Sequence, residues 1–338
     1  MSTTLDALLE AAAQRRAGLF ERLAAEETDS YRLFHGSVEG LPGLTVDRYG
    51  PLMLVQSFHA ALSADELAVV TAFCRRHLPE ASVVYNDRSE SNSRVGNALS
   101  LAEQAEAEQD HIARELGIRY HIRARHRGQD PWLFLDLRAG RRRVKELAAG
   151  KSVLNLFAYT CGIGLAAAKG GAQFVQNIDF AESSLSVGRA NAKLNELATR
   201  PRCVQSDVFA ALRQLSGIGQ PKMVRGRKMP PFPTLEARQF DLVFLDPPRY
   251  AKSPFGVVDL INDYQALFKP ALLTTAPGGT LICCNNVAQV DAEAWLESLQ
   301  RCAEKAGRPI RAVRWITPDE DFPTPDGKHP LKIVELDV

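Results

Sequence analysis

The chain has 338 residues, of which 45% are hydrophobic and 24% charged, as in a soluble globular protein of one or two domains. No apolar run reaches the length of a membrane span and the N-terminus lacks an apolar signal core, so we expect a cytoplasmic protein without a membrane partner. The six cysteines suggest neither a disulfide framework nor a metal site, and a net charge of +1 leaves any nucleic-acid contact to local basic patches.

The first 130 residues are predicted to form a small α+β domain. Apolar residues recur at helical spacing over residues 3–27, so we expect one helix there, capped by Thr3 or Thr4. Three arginines on its polar side are interpreted as solvated: Arg15, Arg16 and Arg22. The elements predicted next are strands between Tyr31 and Phe58, a helix at Ser63–His77, a strand at Val83–Ser89 and a loop at Ala102–Asp110.

Apolar and basic residues alternate over Ile118–Arg127, which predicts an exposed hairpin strand. Its arginines could form a stripe that faces RNA phosphates, and Arg123 and Arg125 are the candidates for that contact. A charged edge strand that prevents aggregation explains the same alternation equally well.

The most informative stretch is Val153–Asp179. A short apolar run predicts a strand buried on both faces, and a turn of small residues, an alanine-rich helix and a second strand ending in Asp179 follow it. Such a unit receives a nucleotide-like ligand, and the terminal carboxylate is placed for ribose hydroxyls. NAD, FAD and S-adenosylmethionine all use this unit, but the G-x-G-x-x-G of a dinucleotide site is absent, because Gly162 and Gly164 are followed by Ala167.

The next strand is predicted to end at Asp207, where an acid or its neighbouring backbone could bond an adenine amino group. A segment rich in proline, glycine and cations, 217–238, follows and is predicted to be an inserted loop without order of its own. Its cations would suit RNA backbone contacts, although a plain solvated insertion fits as well; they include Arg225, Arg227 and Lys228.

A fourth strand leads into the run D-P-P-R-Y, Asp246 to Tyr250. Two prolines stiffen the chain and leave backbone carbonyls that take no part in the hydrogen bonds of a sheet. Such a segment suits the docking of a flat base beside a methyl donor. Amino-directed methyltransferases place the aromatic residue directly after the prolines, whereas here Arg249 intervenes. The C-terminal runs R-A-V-R-W-I and K-I-V-E-L-D-V are predicted to pair as an antiparallel hairpin.

Three motifs resemble the bacterial large-subunit ribosomal RNA methyltransferases that act on cytosine C5 or guanine N7: W-L-F-L-D-L-R, L-N-L-F-A-Y-T-C-G and D-P-P-R-Y. The resemblance implies an α/β fold, in which a Rossmann-like methyltransferase domain with a seven-stranded mixed sheet occupies residues 131–338. It also implies S-adenosylmethionine as cofactor and large-subunit ribosomal RNA as partner; a homodimer is compatible with the sequence. In that family the residue after Tyr-Thr is normally glycine, and here it is Cys161.

The resemblance also assigns residues. The implied cofactor contacts are Phe134, Arg138, Asn155, Phe157, Tyr159, Thr160, Gly162, Asp179, Ser206, Asp207 and Asp246. The residues implied around the reacting base are Asp246, Pro247, Pro248, Tyr250 and Asn286, with Arg249 and Lys252 as further RNA contacts. Since the given sequence begins close to L-P-G-L-T-V-D-R-Y-G, we expect it to lack the PUA or THUMP module that precedes this element in the family.

The acceptor base is predicted from the end of the fifth strand. Methylation of cytosine C5 needs a cysteine thiolate, and the position of that cysteine in the family corresponds to Asn286, while Cys283 and Cys284 lie earlier in the strand. Guanine N7 has its own lone pair and needs no covalent catalyst. The guanine-N7 branch also resembles this chain in its S-N-N run and in the loop at Asp321–Pro325. We therefore predict guanine N7; the alternatives are a cytosine-C5 enzyme that uses Cys284 and a non-catalytic RNA-binding or assembly protein with a degenerate cofactor site.

Overall fold

The computed structural model describes residues 4–90, 100–126 and 130–338, so the predictions for Thr3 and Arg127 lie outside the described residues. The chain divides into two compact units: Met1–Arg138 with Asp319–Lys328, and Ala139–Pro318 with His329–Val338. The first unit thus extends to Arg138 and includes a short segment near the C-terminus. In the described part of the chain, no helix has both the length and the apolar character needed to cross a membrane.

The first unit combines five described helices with two small sheets. Its helices are α1 (Leu5–Arg15), α2 (Ala17–Ala25), α3 (Gly36–Glu39), α4 (Ala64–His77) and α5 (Leu101–Ala107). Its strands are β1 (Ser30–His35), β2 (Leu44–Tyr49), β3 (Leu52–Ser57), β4 (Ser82–Asp87), β5 (His111–Glu115) and β6 (Ile118–Ile122). The first four strands form one sheet in chain order, in which only the β3–β4 pair is parallel, and β5 and β6 form an antiparallel hairpin.

Three local predictions for this unit are wrong. The single helix expected over residues 3–27 is interrupted at Arg16, whose backbone leaves the helical region at φ −97° and ψ 1°. Arg16 is not solvated either: its side chain is 3% exposed and binds the buried carboxylate of Glu39. The loop expected at Ala102–Asp110 is largely helix α5, which begins at the capping box formed by Ser100 and Glu103. The S-x-x-E signature for that box is visible in the sequence.

The second unit is built on a seven-stranded sheet covered by helices. Its helices are α6 (Arg138–Leu147, after a 3-10 turn at Leu135–Leu137), α7 (Gly162–Lys169), α8 (Glu182–Leu194), α9 (Val208–Leu215), α10 (Gln265–Thr274) and α11 (Ala292–Lys305). The first strands are β7 (Ser152–Leu156), β8 (Phe174–Asp179), β9 (Arg202–Gln205), β10 (Met223–Val224) and β11 (Arg227–Lys228). The remaining strands are β12 (Phe240–Leu245), β13 (Tyr250–Ser253), β14 (Gly256–Asp259), β15 (Thr275–Asn285), β16 (Ala312–Trp315) and β17 (Lys332–Asp337).

The order of the large sheet is β16-β17-β15-β12-β7-β8-β9, which confirms the predicted mixed sheet of seven strands. Strands β7, β8, β9, β12 and β15 are parallel, whereas β17 runs antiparallel to both of its neighbours. The chain order reverses between β7 and β12, and in open α/β sheets ligands bind beyond the carboxyl ends of the strands at such a reversal. The fold therefore predicts a site in the loops after β7, β8, β12 and β15.

The core of this unit explains why these segments become strands. All five residues of β7 are buried, as expected for a central parallel strand covered on both faces. Leu154 and Leu156 of β7, Leu245 of β12 and Leu281 of β15 belong to one hydrophobic cluster. Because full burial of each leucine contributes about 1.5–3 kcal/mol, the register of these strands is strongly determined.

Candidate active site

The loop after β7 has an unusual backbone. Three of its residues have positive φ although none is glycine: Phe157 at 56°, Tyr159 at 48° and Cys161 at 65°. Positive φ in a non-glycine residue costs free energy, and such strain accumulates at functional sites. Two hydrogen bonds hold the loop in this shape, because the Ala158 N–H donates to the Ile178 carbonyl at 3.0 Å and the Cys161 N–H donates to the Ala158 carbonyl at 2.7 Å.

Asp179, at the end of β8, connects three loops of the carboxyl edge. The Tyr159 N–H donates to its Oδ2 and the Ala181 N–H to its Oδ1, each at 2.8 Å, and its own carbonyl accepts from the Ser206 N–H at 2.9 Å. Burial raises the pKa of Asp179, and the backbone bonds from Ala181 and Tyr159 oppose that shift. Each carboxylate oxygen has two lone pairs, so the group retains acceptor capacity for ribose hydroxyls.

Asn155, predicted to touch the cofactor, lies beneath the loop. Its Nδ2 donates to Asn177 Oδ1 at 2.8 Å in the buried interior, and Asn177 Nδ2 donates to the Arg202 carbonyl at 3.3 Å. Helix α7 lies so close to this pair that a Cβ on Gly164 would be 2.1 Å from Asn177 Oδ1. These contacts give Asn155 a part in holding β7, β8 and α7 together; a direct contact with the cofactor stays a prediction.

Cys161 is the N-cap of α7 and occupies the position where the resembling family has glycine. Its φ of 65° is a conformation that glycine adopts without strain, which accounts physically for that preference. The cysteine side chain is 1% exposed and packs beside Cys203 of β9, with the two sulfurs 3.8 Å apart. Space for it exists because α8 has Gly188 at the contact, where an added Cβ would be 2.4 Å from the Cys161 sulfur.

The loop after β8 exposes an aromatic ring that the sequence predictions did not name. Phe180 follows Asp179 directly and is 63% exposed, and an aromatic residue immediately after the acid was the signal for it. The strand expected to reach Asp207 ends at Gln205. Asp207 is instead the N-cap of α9, where its Oδ1 accepts from the N–H groups of Phe209 at 2.9 Å and Ala210 at 3.4 Å.

The D-P-P-R-Y run leaves the central strand β12. Pro247 is buried, whereas Arg249 is exposed. Tyr250 is 65% exposed and begins the hairpin β13–β14, an element that was not predicted. An exposed aromatic ring at the carboxyl edge of a parallel sheet offers a stacking surface for a planar ligand.

The end of β15 presents an exposed amide and conceals two thiols. Asn286 is exposed, while Asn285 is buried and donates to the Leu260 carbonyl at 3.1 Å. The Val287 N–H donates to Asn285 Oδ1 at 3.0 Å, so the buried amide fixes the turn that carries its exposed neighbour. Cys283 and Cys284 lie within the strand and are 0% exposed, and burial raises the pKa of Cys283 far above its ordinary range.

The sheet register brings these segments to one edge. Leu156 of β7 pairs with Ile178 of β8 and with Leu245 of β12, and Leu245 pairs in turn with Cys283 of β15. The loops at 157–161, 179–180, 246–250 and 285–286 therefore begin at the same level of the sheet. The structure thus places in one region of the second unit most of the residues predicted for the cofactor and the base.

Four predicted contacts belong to the first unit. Phe134 is exposed. Arg138 is 1% exposed, and its guanidinium donates to Asp319 at 2.7 Å, Asp321 at 2.6 Å and the Ser30 carbonyl at 2.9 Å. These bonds give Arg138 a structural role, and its contact with the cofactor carboxylate stays a prediction. The two arginines expected to bind RNA have protein acceptors: Arg123 at Asp110, and Arg125 at Asn86.

The basic insertion is more ordered than expected. Residues 223–228 form the antiparallel hairpin β10–β11, with positive φ at Arg225 and Gly226 as a two-residue hairpin turn requires. Phe232 contacts Phe255 edge-to-face at 5.7 Å, which joins the insertion to the hairpin β13–β14. The exposed cations of the two hairpins, named here the basic hairpin surface, are Lys222, Arg225, Arg227, Lys228, Arg249 and Lys252.

A parallel sheet with this order reversal, a strained loop after the first strand and an acid at the end of the second define a Rossmann-like nucleotide-binding enzyme domain. The model of the S-adenosylmethionine-dependent methyltransferase family matches residues 32–335. The chain therefore belongs to that family, and it is an S-adenosylmethionine-dependent methyltransferase.

Two similar proteins match over most of this chain. A ribosomal RNA large subunit methyltransferase of Deinococcus radiodurans is 34% identical over 324 residues, covering 93% of this chain and 74% of the relative. Ribosomal RNA large subunit methyltransferase I of Aeromonas hydrophila is 29% identical over 321 residues, covering 93% and 75%.

Solved structures share the fold. The crystal structure of SMU.776 complexed with SAH has a TM-score of 0.79 at 22% identity and covers 100% of this chain and 83% of its own. The S-adenosylmethionine-dependent methyltransferase from Agrobacterium tumefaciens has a TM-score of 0.58 at 16% identity, with 88% of each chain covered. At these identities the likeness supports the fold alone.

Proposed function

We propose that this protein methylates a guanine of large-subunit ribosomal RNA at N7. The substrate class is inferred from the relatives, which are named as large-subunit ribosomal RNA methyltransferases. One observation favours methylation at guanine N7 over methylation at cytosine C5: Cys283 and Cys284 are buried, each 0% exposed, whereas Asn286 beside them is exposed. A C5 enzyme needs a thiolate that reaches the base, and a thiol fully buried in a central strand does not reach it.

The residues at the carboxyl edge fit the proposed cofactor. Bound S-adenosylmethionine supplies an electrophilic methyl group on a sulfonium sulfur. In our assignment, Asp179 accepts hydrogen bonds from the ribose hydroxyls with the acceptor sites that its backbone partners leave unused. In the same assignment, Phe180 would stack on the adenine, with Ser206 and Asp207 beside it. The strained loop from Phe157 to Gly162 would hold the remainder of the molecule.

The acceptor base is positioned by the D-P-P-R-Y run and by Asn286. The exposed ring of Tyr250 stacks on the purine. The side-chain amide of Asn286 donates to guanine O6, the acceptor next to N7 on the same edge of the base. Because the N7 lone pair lies in the ring plane and requires no proton removal, orientation toward the methyl group carries most of the rate enhancement.

RNA phosphates are proposed to bind the basic hairpin surface. Two hydrogen bonds attach the insertion to helix α9: Gln214 Nε2 donates to the Pro233 carbonyl at 3.0 Å, and Gln214 Oε1 accepts from the Leu235 N–H at 3.1 Å. A chain with a net charge of only +1 needs such a concentrated patch to bind a polyanion. Substitution of Arg225 and Arg227 by glutamine should weaken RNA binding and reduce the steepness of its salt dependence.

The test is methyl transfer from tritiated S-adenosylmethionine to unmodified large-subunit ribosomal RNA, followed by digestion to nucleosides and chromatography. Label in 7-methylguanosine supports the proposal, whereas label in 5-methylcytidine overturns the assignment of the base. If no nucleoside is labelled, calorimetry with S-adenosylmethionine distinguishes a different substrate, for which the cofactor still binds, from a degenerate cofactor site.

Three variants and one control distinguish the proposed roles of Asn286, Cys284 and Asp179. Asn286→Ala should lower kcat/KM about 2- to 10-fold, the equivalent of one hydrogen bond, while Gln289→Ala, an exposed amide in the same loop, should leave it unchanged. Cys284→Ala should retain full activity under the N7 proposal and none under a C5 mechanism. Asp179→Asn should weaken cofactor binding without changing the identity of the methylated base.

A further inference from the structure

Two thiols meet directly beside the loop assigned to the cofactor. Cys203 pairs with Asn177 in the β8–β9 register, so both side chains lie on the same face of the sheet. Helix α7 contacts that face: Gly164 lies against Asn177, and Cys161, one turn earlier, lies against Cys203. The two sulfurs are 3.8 Å apart, which places them in van der Waals contact as free thiols.

The two cysteines differ in access and in charge. Cys161 is buried, whereas Cys203 is partly exposed. The hydrogen bond from the Cys161 thiol and the positive charge of Arg189 lower the pKa of Cys203. The same hydrogen bond and burial raise the pKa of Cys161, which therefore keeps its proton. A thiolate that can be reached from solvent, next to a second thiol, is the arrangement found in oxidation-sensitive cysteine pairs.

We propose that Cys161 and Cys203 are a reversible oxidative modification site, at which a disulfide formed by hydroperoxides reduces the affinity for S-adenosylmethionine. The proposal rests on the assignment of the cofactor to the loop at 157–162. It does not depend on which base is methylated.

The oxidation proceeds in two balanced steps. The Cys203 thiolate attacks a hydroperoxide oxygen, forming an S–O bond as the O–O bond breaks, and the departing oxygen takes up a proton to leave as water or an alcohol. The Cys161 sulfur then attacks the sulfenic acid of Cys203, forming the S–S bond and releasing water as the thiol proton is transferred. Two thiols lose two electrons and two protons in total, and the hydroperoxide is reduced. A small thiol such as glutathione or dithiothreitol reverses the reaction.

The disulfide would change the shape of the loop. An S–S bond is about 2.05 Å long, so the sulfurs must approach by about 1.7 Å from their present 3.8 Å. Cys161 is two residues from Tyr159, whose N–H orients Asp179. Because Cys161 is itself one of the positive-φ residues of the loop, displacement of its backbone moves the strained loop and weakens that hydrogen bond. Loss of one charge-assisted contact corresponds to a decrease in cofactor affinity of about 10-fold or more.

The experiment uses the full chain, treated with hydrogen peroxide, quenched, and compared with the reduced protein. Intact mass spectrometry should show the loss of two hydrogen atoms per chain, peptide mapping should link Cys161 to Cys203, and dithiothreitol should reverse both changes. Calorimetry should give a Kd for S-adenosylmethionine about 10-fold higher in the oxidised protein. Cys203→Ser should bind the cofactor as the reduced protein does and should be insensitive to peroxide, whereas Cys302→Ser should respond as the parent chain does.

The outcomes are separable from those of the proposed function. Absence of the Cys161–Cys203 link after peroxide treatment refutes the modification site, whatever the activity of the enzyme. A link that leaves the Kd unchanged refutes its effect on the cofactor. Failure of the reduced protein to bind S-adenosylmethionine contradicts the proposed cofactor loop, and the mass measurement then still decides whether the disulfide forms.

Discussion

The contact between Gly188 and Cys161 provides the most specific test of the structure around the cofactor loop. Gly188→Ala would put a Cβ 2.4 Å from the Cys161 sulfur, 2.9 Å from its Cβ and 3.1 Å from the Thr160 carbonyl oxygen. Ordinary non-bonded contacts of carbon lie at about 3.5–4.0 Å, so α8 or the loop must move by about 1 Å.

The size of the effect follows from two opposing contributions. Overpacking of a tightly packed interior costs about 1–3 kcal/mol, while alanine is favoured over glycine within a helix by about 1 kcal/mol. We expect Gly188→Ala to lower the free energy of unfolding by up to about 2 kcal/mol. In a Cys161→Gly background the two closest atoms are absent and the Thr160 contact at 3.1 Å is the nearest of the three that remains, so the same substitution should be close to neutral.

The double-mutant cycle therefore has a predicted coupling of up to about 2 kcal/mol between the two positions. Urea denaturation under reducing conditions measures it, with the fluorescence of Trp295 and Trp315 reporting on the second unit. Cys161→Gly alone should have a small effect, because relief of the positive φ offsets the loss of the packed sulfur. An equal cost of Gly188→Ala in both backgrounds would refute the argument, since the clash would then not involve Cys161.

Three further changes test other parts of the structure. Arg138→Met removes the cation that binds the buried Asp321 and the partly buried Asp319, and it should lower the free energy of unfolding by about 3–5 kcal/mol. Arg301→Met, which removes an exposed ion pair, should change it by less than about 1 kcal/mol in the same urea titration. Burial, followed by the charge of a neighbouring arginine, lowers the pKa of His35 from 6.5 to about 4. Between these two pH values the unfolded chain binds a proton that the folded chain does not, so the free energy of unfolding should fall as the pH decreases from 6.5 to about 4. His35→Gln should reduce this pH dependence of stability, and an unchanged dependence would contradict the assignment. Gly164→Ala should be strongly destabilising, because its Cβ would lie 2.1 Å from the side chain of the buried Asn177. Gly18→Ala, whose Cβ would have its nearest neighbour at 3.9 Å, should stabilise helix α2 by about 0.5–1 kcal/mol. The melting temperatures of the two variants should therefore shift in opposite directions.

Several features that the sequence did not reveal depend on a partner distant in the chain. The interruption of the first helix at Arg16 depends on Glu39, and the burial of Arg138 depends on Asp319 and Asp321. An arginine on the polar side of a helix has the same sequence neighbours whether its side chain is solvated or bound to a remote carboxylate. The spacing of residues in the sequence therefore could not reveal these ion pairs. Helix α5 is different, because its capping box was visible and was outweighed by the acidic composition of the segment.

The basic insertion illustrates the same limit. Its composition predicts a loop without a core of its own, and the residues are indeed exposed. Its order comes from contacts outside the segment, through Gln214 of α9 and through the ring of Phe255. Composition describes what a segment can bury by itself, and it says nothing about the surfaces that neighbouring elements offer.

The sequence by itself determined the class of fold and the general location of the site. Apolar runs at Val153–Phe157 and Phe240–Leu245 specify buried parallel strands, and the glycines and acids that follow such strands must meet at their carboxyl edge. Only the tertiary structure decided which side chains at that edge are exposed and which are buried, as with Asn286 and Cys284. The physical reason is that strand and helix periods are local properties of the chain. Exposure and the approach of two sulfurs, in contrast, depend on how remote segments pack.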